Sequence, residues 1–373
     1  LEWCQIDFCY KEEEQSYNIY HNPEYVNKFE DKEVRYSNPT FFAHDLHIGG
    51  ELVTEVTFPG ELNVVKYATF ARCTSITKVV LHENVKSIGF YAFVTCTGIN
   101  EIDLGGVEII DTAAFDGCYG ILKLTLPETL LKIKNNAFRA AQKIIEIYNL
   151  SDIQLDKGYG SNGAVARYAE KVYTEIPDIS NFETDMNGFV WYANEEKPYE
   201  IALVGYVGTA TEVTVPYTHN DKTVVLKECA FAGNTVLQKV TFEDGFTAIP
   251  NLLFAYCFSL TEVVLPDTIT SIGDHAFWSS GLKKIVLPAN CTYIDQHAFT
   301  ELVDCEITIN ATQFSYGKYA FGWNTNMKVN FAGTVEQWNK YVNVSNSVSD
   351  YKGILYETDF TAVCSNGTYQ AYA

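Results

Sequence analysis

The sequence predicts a repeat solenoid, mostly β with short helical or 3-10 turns, built as two stacked arrays. Three observations predict it. A phenylalanine recurs every 22 or 23 residues, as Phe70, Phe93, Phe115 and Phe138 in one set and Phe231, Phe254, Phe277, Phe299 and Phe321 in a second. The neighbours of each Phe repeat as well. Five positions before it stands a branched or large apolar residue, in order Val65, Ile88, Ile110, Ile133, Leu226, Ile249, Ile272 and Ile294, with Tyr316 the one departure. Ala usually comes just before the Phe, as in Ala92, Ala114, Ala137, Ala230, Ala276, Ala298 and Ala320. Beyond the Phe comes an alternating apolar pair, such as Val79 and Leu81, Ile102 and Leu104, or Val240 and Phe242. That alternation marks a short strand with one face buried.

A unit of this length with about six apolar sites cannot bury them alone, but stacked copies line those sites into one continuous core. Adjacent strands pair at ~4.8 Å, so five coils extend roughly 20 to 25 Å along the axis. Each buried Phe, Ile or Leu contributes on the order of 1.5–3 kcal/mol relative to exposure. Loss of one ladder residue therefore weakens two interfaces.

Taken in order, residues 1–45 read as an irregular connector whose acidic stretch Glu12, Glu13 and Glu14 is a solvated loop. The first array spans 46–150. Residues 151–210 break the period: Gly158, Gly160 and Gly163 mark a loop, and Val165 to Tyr173 read as a short helix ahead of Pro177. Phe189 to Tyr192 and Ile201 to Tyr206, separated by Asn194 to Pro198, read as a β-hairpin. The second array spans 211–331. From Pro216 to Phe231 the spacing is 15 where other units have 11, so Tyr217 to Lys222 holds a surface insertion of four residues. Residues 332–373 read as a segment capping the last coil. Pro59, Pro127, Pro216, Pro266 and Pro288 end strands where a missing amide hydrogen does least harm. Two units depart from the pattern. Ala141 stands where Cys is expected and Asn149 where a buried strand residue should be, and the Phe299 unit shifts its strand to Cys305, Ile307 and Ile309.

The string Ser87-Ile88-Gly89-Phe90-Tyr91-Ala92-Phe93-Val94-Thr95-Cys96, echoed in Ser271-Ile272-Gly273-Asp274-His275-Ala276-Phe277, resembles the BspA-type leucine-rich repeat. Two flanking signatures agree. Trp3-Cys4, Ile6 and Phe8, followed by Asn38-Pro39, His44, Leu46 and Gly50-Glu51-Leu52, are similar to the segment that links successive arrays in that family. Phe331-Ala332-Gly333-Thr334, Glu336-Gln337-Trp338 and the later Val363-Cys364-Ser365-Asn366-Gly367 are similar to its closing segment. The resemblance implies a leucine-rich-repeat solenoid on a secreted or surface-displayed protein. Because the chain opens at Leu1 within such a linking segment, an upstream array is expected, with any export signal or anchor outside these residues.

Net charge is −21 with a pI near 4.7. Nucleic acid and anionic membrane surfaces would be repelled, and no compensating basic cluster is visible. No run of 18 or more apolar residues suggests membrane insertion. Aromatic residues make up 14% of the chain, and many of the 25 Tyr lie between the arrays, where binding surfaces draw them.

Cys73, Cys96, Cys118 and Cys257 each follow a period-marking Phe by three positions and read as a ladder of buried thiols. Disulfides between rungs fit the distance but not the orientation, and pairs among Cys4, Cys9 and Cys364 stay open. His275 and His297 stand 22 residues apart with Asp274 and Asp295 beside them, a place for a surface metal. The same position holds Tyr91, Ala113, Asn136, Cys229 and Tyr319 elsewhere, which marks an unconstrained outward site. No HExxH, Walker loop, GxSxG or paired CxxC occurs, so neither a catalytic residue, a metal nor a cofactor is assigned.

The residue between the two buried strand positions of each coil should form an exposed face: Val80, Asp103, Thr125 and Tyr148, then Thr241, Val264, Val286, Thr308 and Asn330. Strand propensity alone accounts for β-branched residues there; as a functional surface, the face would dock a partner. The expected role is non-enzymatic, with adhesion to a host or matrix protein or glycan as the form the resemblance implies. A structural spacer projecting other domains is the alternative, and a hydrolase or metal-binding protein ranks third.

Overall fold

A computed structural model of the 373-residue chain describes residues 46–48, 50–158, 162–342, 358 and 360–371. The expected 1–45 connector, with Cys4 and Cys9, lies outside the described residues. The chain divides into two compact units at Asp178 and Ile179.

Each regular coil has three sides. A strand of three or four residues is followed by a turn, a two-residue strand and a run of turns carrying the Phe. In the first unit the longer strands Glu55–Phe58, Lys78–Leu81 and Glu101–Asp103 form one parallel sheet, and Lys123–Leu126, Glu146–Asn149 and Lys171–Tyr173 another. Val64–Val65, Ser87–Ile88, Ile109–Ile110 and Lys132–Ile133 line the second side. In the second unit the parallel ladder runs from Glu212–Val215 through Lys239–Phe242, Glu262–Val264, Lys284–Leu287, Glu306–Ile309 and Met327–Phe331 to Phe360–Cys364.

The aromatic spine is as the period predicts. All nine period-marking Phe are at most 1% exposed. In the first unit their rings stack 5.1–5.4 Å apart, from Phe70 to Phe138, and in the second they do so from Phe231 to Phe321. In four coils a donor three positions after the Phe ties the coil to the one before. Cys96 Sγ donates to Phe70 O at 2.9 Å, Cys118 Sγ to Phe93 O at 3.0 Å and Cys257 Sγ to Phe231 O at 2.9 Å. Asn324 Nδ2 plays the same part toward Phe299 O at 2.8 Å.

The Phe-bearing side is kept from becoming a helix by two left-handed residues per coil, or one in the Phe138 coil. Two positions before the Phe, φ is positive at Ala68, Tyr91, Ala113, Asn136, Cys229, Leu252, His275, His297 and Tyr319. Two positions after it, φ is positive at Arg72, Thr95, Gly117, Gly233, Tyr256, Ser279, Glu301 and Trp323. A non-glycine residue in this region costs about 1–2 kcal/mol. The alternation turns every second N–H toward the next coil: Tyr91 N donates to Thr112 O, Phe93 N to Ala114 O and Thr95 N to Asp116 O, at 2.7–3.3 Å. Those bonds satisfy buried backbone groups and offset the strain.

Val165 to Tyr173 do not form the expected helix. Asn162–Ala164 make one 3-10 turn with left-handed φ values at all three residues. The chain then follows the track of a further coil, with Val165, Ala166 and Ala169 in the core and Lys171–Tyr173 paired to Glu146–Asn149. The sheet thus continues past residue 150, because a free strand edge captures the Val and Tyr of this segment more strongly than helix propensity holds it.

The second unit begins with the sheet Phe182–Thr184, Phe189–Tyr192, Glu200–Tyr206, Lys222–Leu226 and Thr218–His219. Phe189–Tyr192 and Glu200–Tyr206 pair antiparallel, and Glu200–Tyr206 then lies parallel to Lys222–Leu226. The segment Tyr217 to Lys222 carries a tight hairpin turning at Asn220 and Asp221, both with positive φ as a type I′ turn requires. At the other end helix Val335–Val342 starts with a capping box, Gln337 N to Thr334 Oγ1 at 3.3 Å and Thr334 N to Gln337 Oε1 at 2.7 Å. Its Trp338 is fully buried against Phe331 and Phe360, at 5.4 and 6.0 Å between ring centres.

One column of charges sets the register of the coils. Near the start of each longer strand up to Met327–Phe331 stands a Glu or Lys, and the sign alternates: Glu55, Lys78, Glu101; Lys123, Glu146, Lys171; Glu212, Lys239, Glu262, Lys284, Glu306, Lys328. Ion pairs form at Lys78–Glu101 and Lys328–Glu306, both 2.8 Å, and at Lys239–Glu262, 3.5 Å. Lys284→Glu would set three carboxylates in a row. The expected loss is about 1–2 kcal/mol from two like-charge neighbours, shrinking in 1 M salt as the ~3 Å screening length takes hold. Urea unfolding at low and high salt measures it.

Candidate binding face

The column beside these charges is the face predicted for binding. The registers Val80↔Asp103, Thr214↔Thr241, Thr241↔Val264, Val286↔Thr308 and Thr308↔Asn330 bring its members side by side within each unit. Asp103 is exposed, Val264 and Val286 are 37% and 42% exposed, and Val80, Thr125, Thr241, Thr308 and Asn330 are half-buried. Asn330 is tied down, donating from Nδ2 to Glu306 Oε1 at 2.6 Å. Hydrogen bonds from Lys328 and Asn330 hold the Glu306 carboxyl below its usual range. Its contribution is therefore present above the ordinary carboxylate pKa and lost as pH falls through the lowered value.

Tyr148 does not belong to the exposed face. It is buried at 7%, its hydroxyl donates to Glu146 Oε2 at 2.6 Å, and its ring leans on Tyr173 at 5.8 Å. Burial and the Glu146 carboxylate push its phenol pKa up. Tyr173 was absent from the expected array because its segment read as helix; the register Tyr148↔Tyr173 places it there.

His275 and His297 are neighbours on adjacent coils, with rings 4.5 Å apart and 27° from parallel. His275 Nδ1 bonds to Asp274 Oδ1, and the His297 ring stacks with Trp323 at 5.6 Å. The position varies freely in side chain but not in backbone, since every occupant is left-handed. Among the described residues no group of three His, Cys, Asp or Glu side chains could hold a metal ion.

The eight described cysteines are free and buried. Burial pushes the Cys96 and Cys118 thiols well up and the Cys291 and Cys305 thiols to about 12, so none of these four offers a thiolate nucleophile near neutral pH. A depression of about 490 Å³ beside helix Val335–Val342 is lined by Thr292, Gln313, Phe314, Ser315, Gln337, Lys340 and Tyr341. Among the described residues Lys340 is its one charged group, with no carboxylate or imidazole to pair it in acid–base work.

Stacked strands, an internal aromatic ladder and a Cys or Asn donor to the previous coil define a solenoid of the leucine-rich repeat class. The family described as BspA type leucine rich repeat region matches residues 50–155 and 210–344 in six copies, and the chain belongs to that family. Similar solved structures include a leucine rich cell surface protein from Faecalibacterium prausnitzii, 19% identical, TM-score 0.32, with 82% of this chain and 90% of that chain covered. A leucine-rich repeat protein from Bacteroides ovatus is 18% identical, TM-score 0.29, covering 83% of this chain and 84% of that one. The pneumococcal vaccine antigen PcpA is 18% identical, TM-score 0.34, covering 82% and 86%. No curated protein matches the chain. Among the described residues no helix is long and apolar enough to cross a membrane.

Proposed function

We propose that the chain is a non-enzymatic binding module of a secreted or surface-displayed protein, adhering to a host or matrix protein or glycan through the exposed strand face. The observation that carries this reading is the column of short side chains flanked by alternating charges, with Val264 and Val286, on neighbouring coils, each more than a third exposed. Its side chains stand on hydrogen-bonded strands, so docking costs little backbone ordering entropy.

The test is binding of the intact chain to a panel of immobilised matrix proteins and glycans, compared with Asp103→Lys, Thr125→Trp and Val264→Trp. Binding weakened by about tenfold or more in at least one variant is the expected result. Unchanged binding across all three removes the strand face. A chain that binds nothing on the panel acts as a spacer instead.

A further inference from the structure

The backbone ladder on the strand face of the second unit is shortened at two successive coils, and both carry a proline there. Elsewhere a backbone N–H just past each strand reaches back to the preceding coil: Glu243 N to Val215 O at 3.1 Å, Asn310 N to Leu287 O at 3.1 Å, and Ala332 N to Ile309 O at 3.0 Å. The two coils between hold Pro266 and Pro288 at that place. Proline has no N–H, so Phe242 O and Leu265 O do not receive this bond.

The ladder shortens accordingly. Pairing runs to Val215↔Phe242 before this point and to Leu287↔Ile309 after it, but stops at Thr241↔Val264 and Val263↔Ile285 in between. A depression of about 180 Å³ lies here, its lining including Val264, Leu265, Asp267, Lys284, Val286 and Pro288. That volume lies below the roughly 300–1,000 Å³ of small-molecule sites and suits a single side chain.

The charges around the cleft select what enters. Glu262 is paired with Lys239 at 3.5 Å, whereas the exposed Asp267 makes no ion pair among the described residues. Asp244 is exposed one coil earlier at the position equivalent to Asp267, and the whole chain carries −21. Lys284 also lines the cleft, but at the strand start, where Glu262 and Glu306 flank it in register; Asp267, at the other end of the strand, is the carboxylate left to meet a basic group.

We propose that this cleft is an anchor point for a partner polypeptide, which inserts one aliphatic side chain between Val264 and Val286 and seats an adjoining lysine or arginine on Asp267. This rests on the strand-face reading and specifies the partner's chemistry.

The experiment uses three fluorescent octapeptides, alternating Leu/Lys, Ser/Lys and Leu/Glu, titrated with the 373-residue chain and followed by anisotropy. Saturable binding of the Leu/Lys peptide alone is expected, about tenfold weaker with Val286→Asn and about threefold weaker with Asp267→Asn, which also flattens its salt dependence. Val286→Thr, which keeps the side chain's shape and strand preference, gives the same loss if Asn disturbs folding. Equal binding of Ser/Lys, or Leu/Lys binding undiminished in these variants, overturns the cleft assignment. If no peptide binds but the matrix panel still shows capture that depends on the face, the partner chemistry is wrong and the face stands. If both assays are silent, face and cleft fall together.

Discussion

Phe277→Ala is expected to destabilise the second unit by about 3–5 kcal/mol, the range for removing a fully buried aromatic ring. Phe277 is 0% exposed, its ring lies 5.4 Å from Phe254 and 5.1 Å from Phe299, and its N–H bonds to Ala298 O at 2.9 Å. The cavity opens between two coils whose backbones are pinned by cross-coil bonds on either side of the ring, so collapse into it is limited. Stacked pairs add about 0.5–1.5 kcal/mol each beyond area, and this ring has two. Val286→Ala on the strand face is the control, with an expected change within about 0.5 kcal/mol. Urea unfolding reads both through the midpoint. A Phe277→Ala loss under about 1 kcal/mol would mean that the ring stack does not hold the coils together.

Trp338→Ala should cost a similar amount, about 3–5 kcal/mol, and should add a second symptom. The Trp338 side chain covers Phe331 and Phe360 and makes no hydrogen bond through Nε1 among the described residues, so its loss is one of packing. Solenoid ends need such covers because the last coil otherwise presents its core to water. Self-association at micromolar concentration is therefore expected alongside the lower midpoint, visible by light scattering. Trp338→Phe should self-associate less and lose less stability.

How much was legible in the sequence follows from which positions are held by side-chain chemistry. Phe93, Ile88, Ala92 and Cys96 repeat because one buried shape recurs, and a string reveals that. The left-handed positions escaped notice since Ala68, Tyr91, Asn136, Leu252 and His275 share no chemistry; cross-coil hydrogen bonds impose the conformation on whatever stands there. Tyr148 fitted the alternation of an exposed residue, yet its bond to Glu146 and contact with Tyr173 depend on a strand that composition alone made helical. The alternating Glu and Lys column was open to inspection, one residue before each buried strand position, but its meaning needs the register that brings Lys284 between Glu262 and Glu306. Pro266 and Pro288 were recognised as strand ends; that two in succession shorten the ladder is a property of neighbouring coils, which a single repeat does not display.

The central claim is that each coil is held by its immediate neighbours through the ring stack, which lines the strands up into one face within each unit. A double-mutant cycle tests it most directly: Phe254→Leu with Phe277→Leu, adjacent rungs, against Phe231→Leu with Phe299→Leu, three rungs apart. The adjacent pair should couple by about 0.5–1.5 kcal/mol, and the distant pair should add to within about 0.5 kcal/mol. No coupling between adjacent rungs, or equal coupling in both pairs, would contradict the stack.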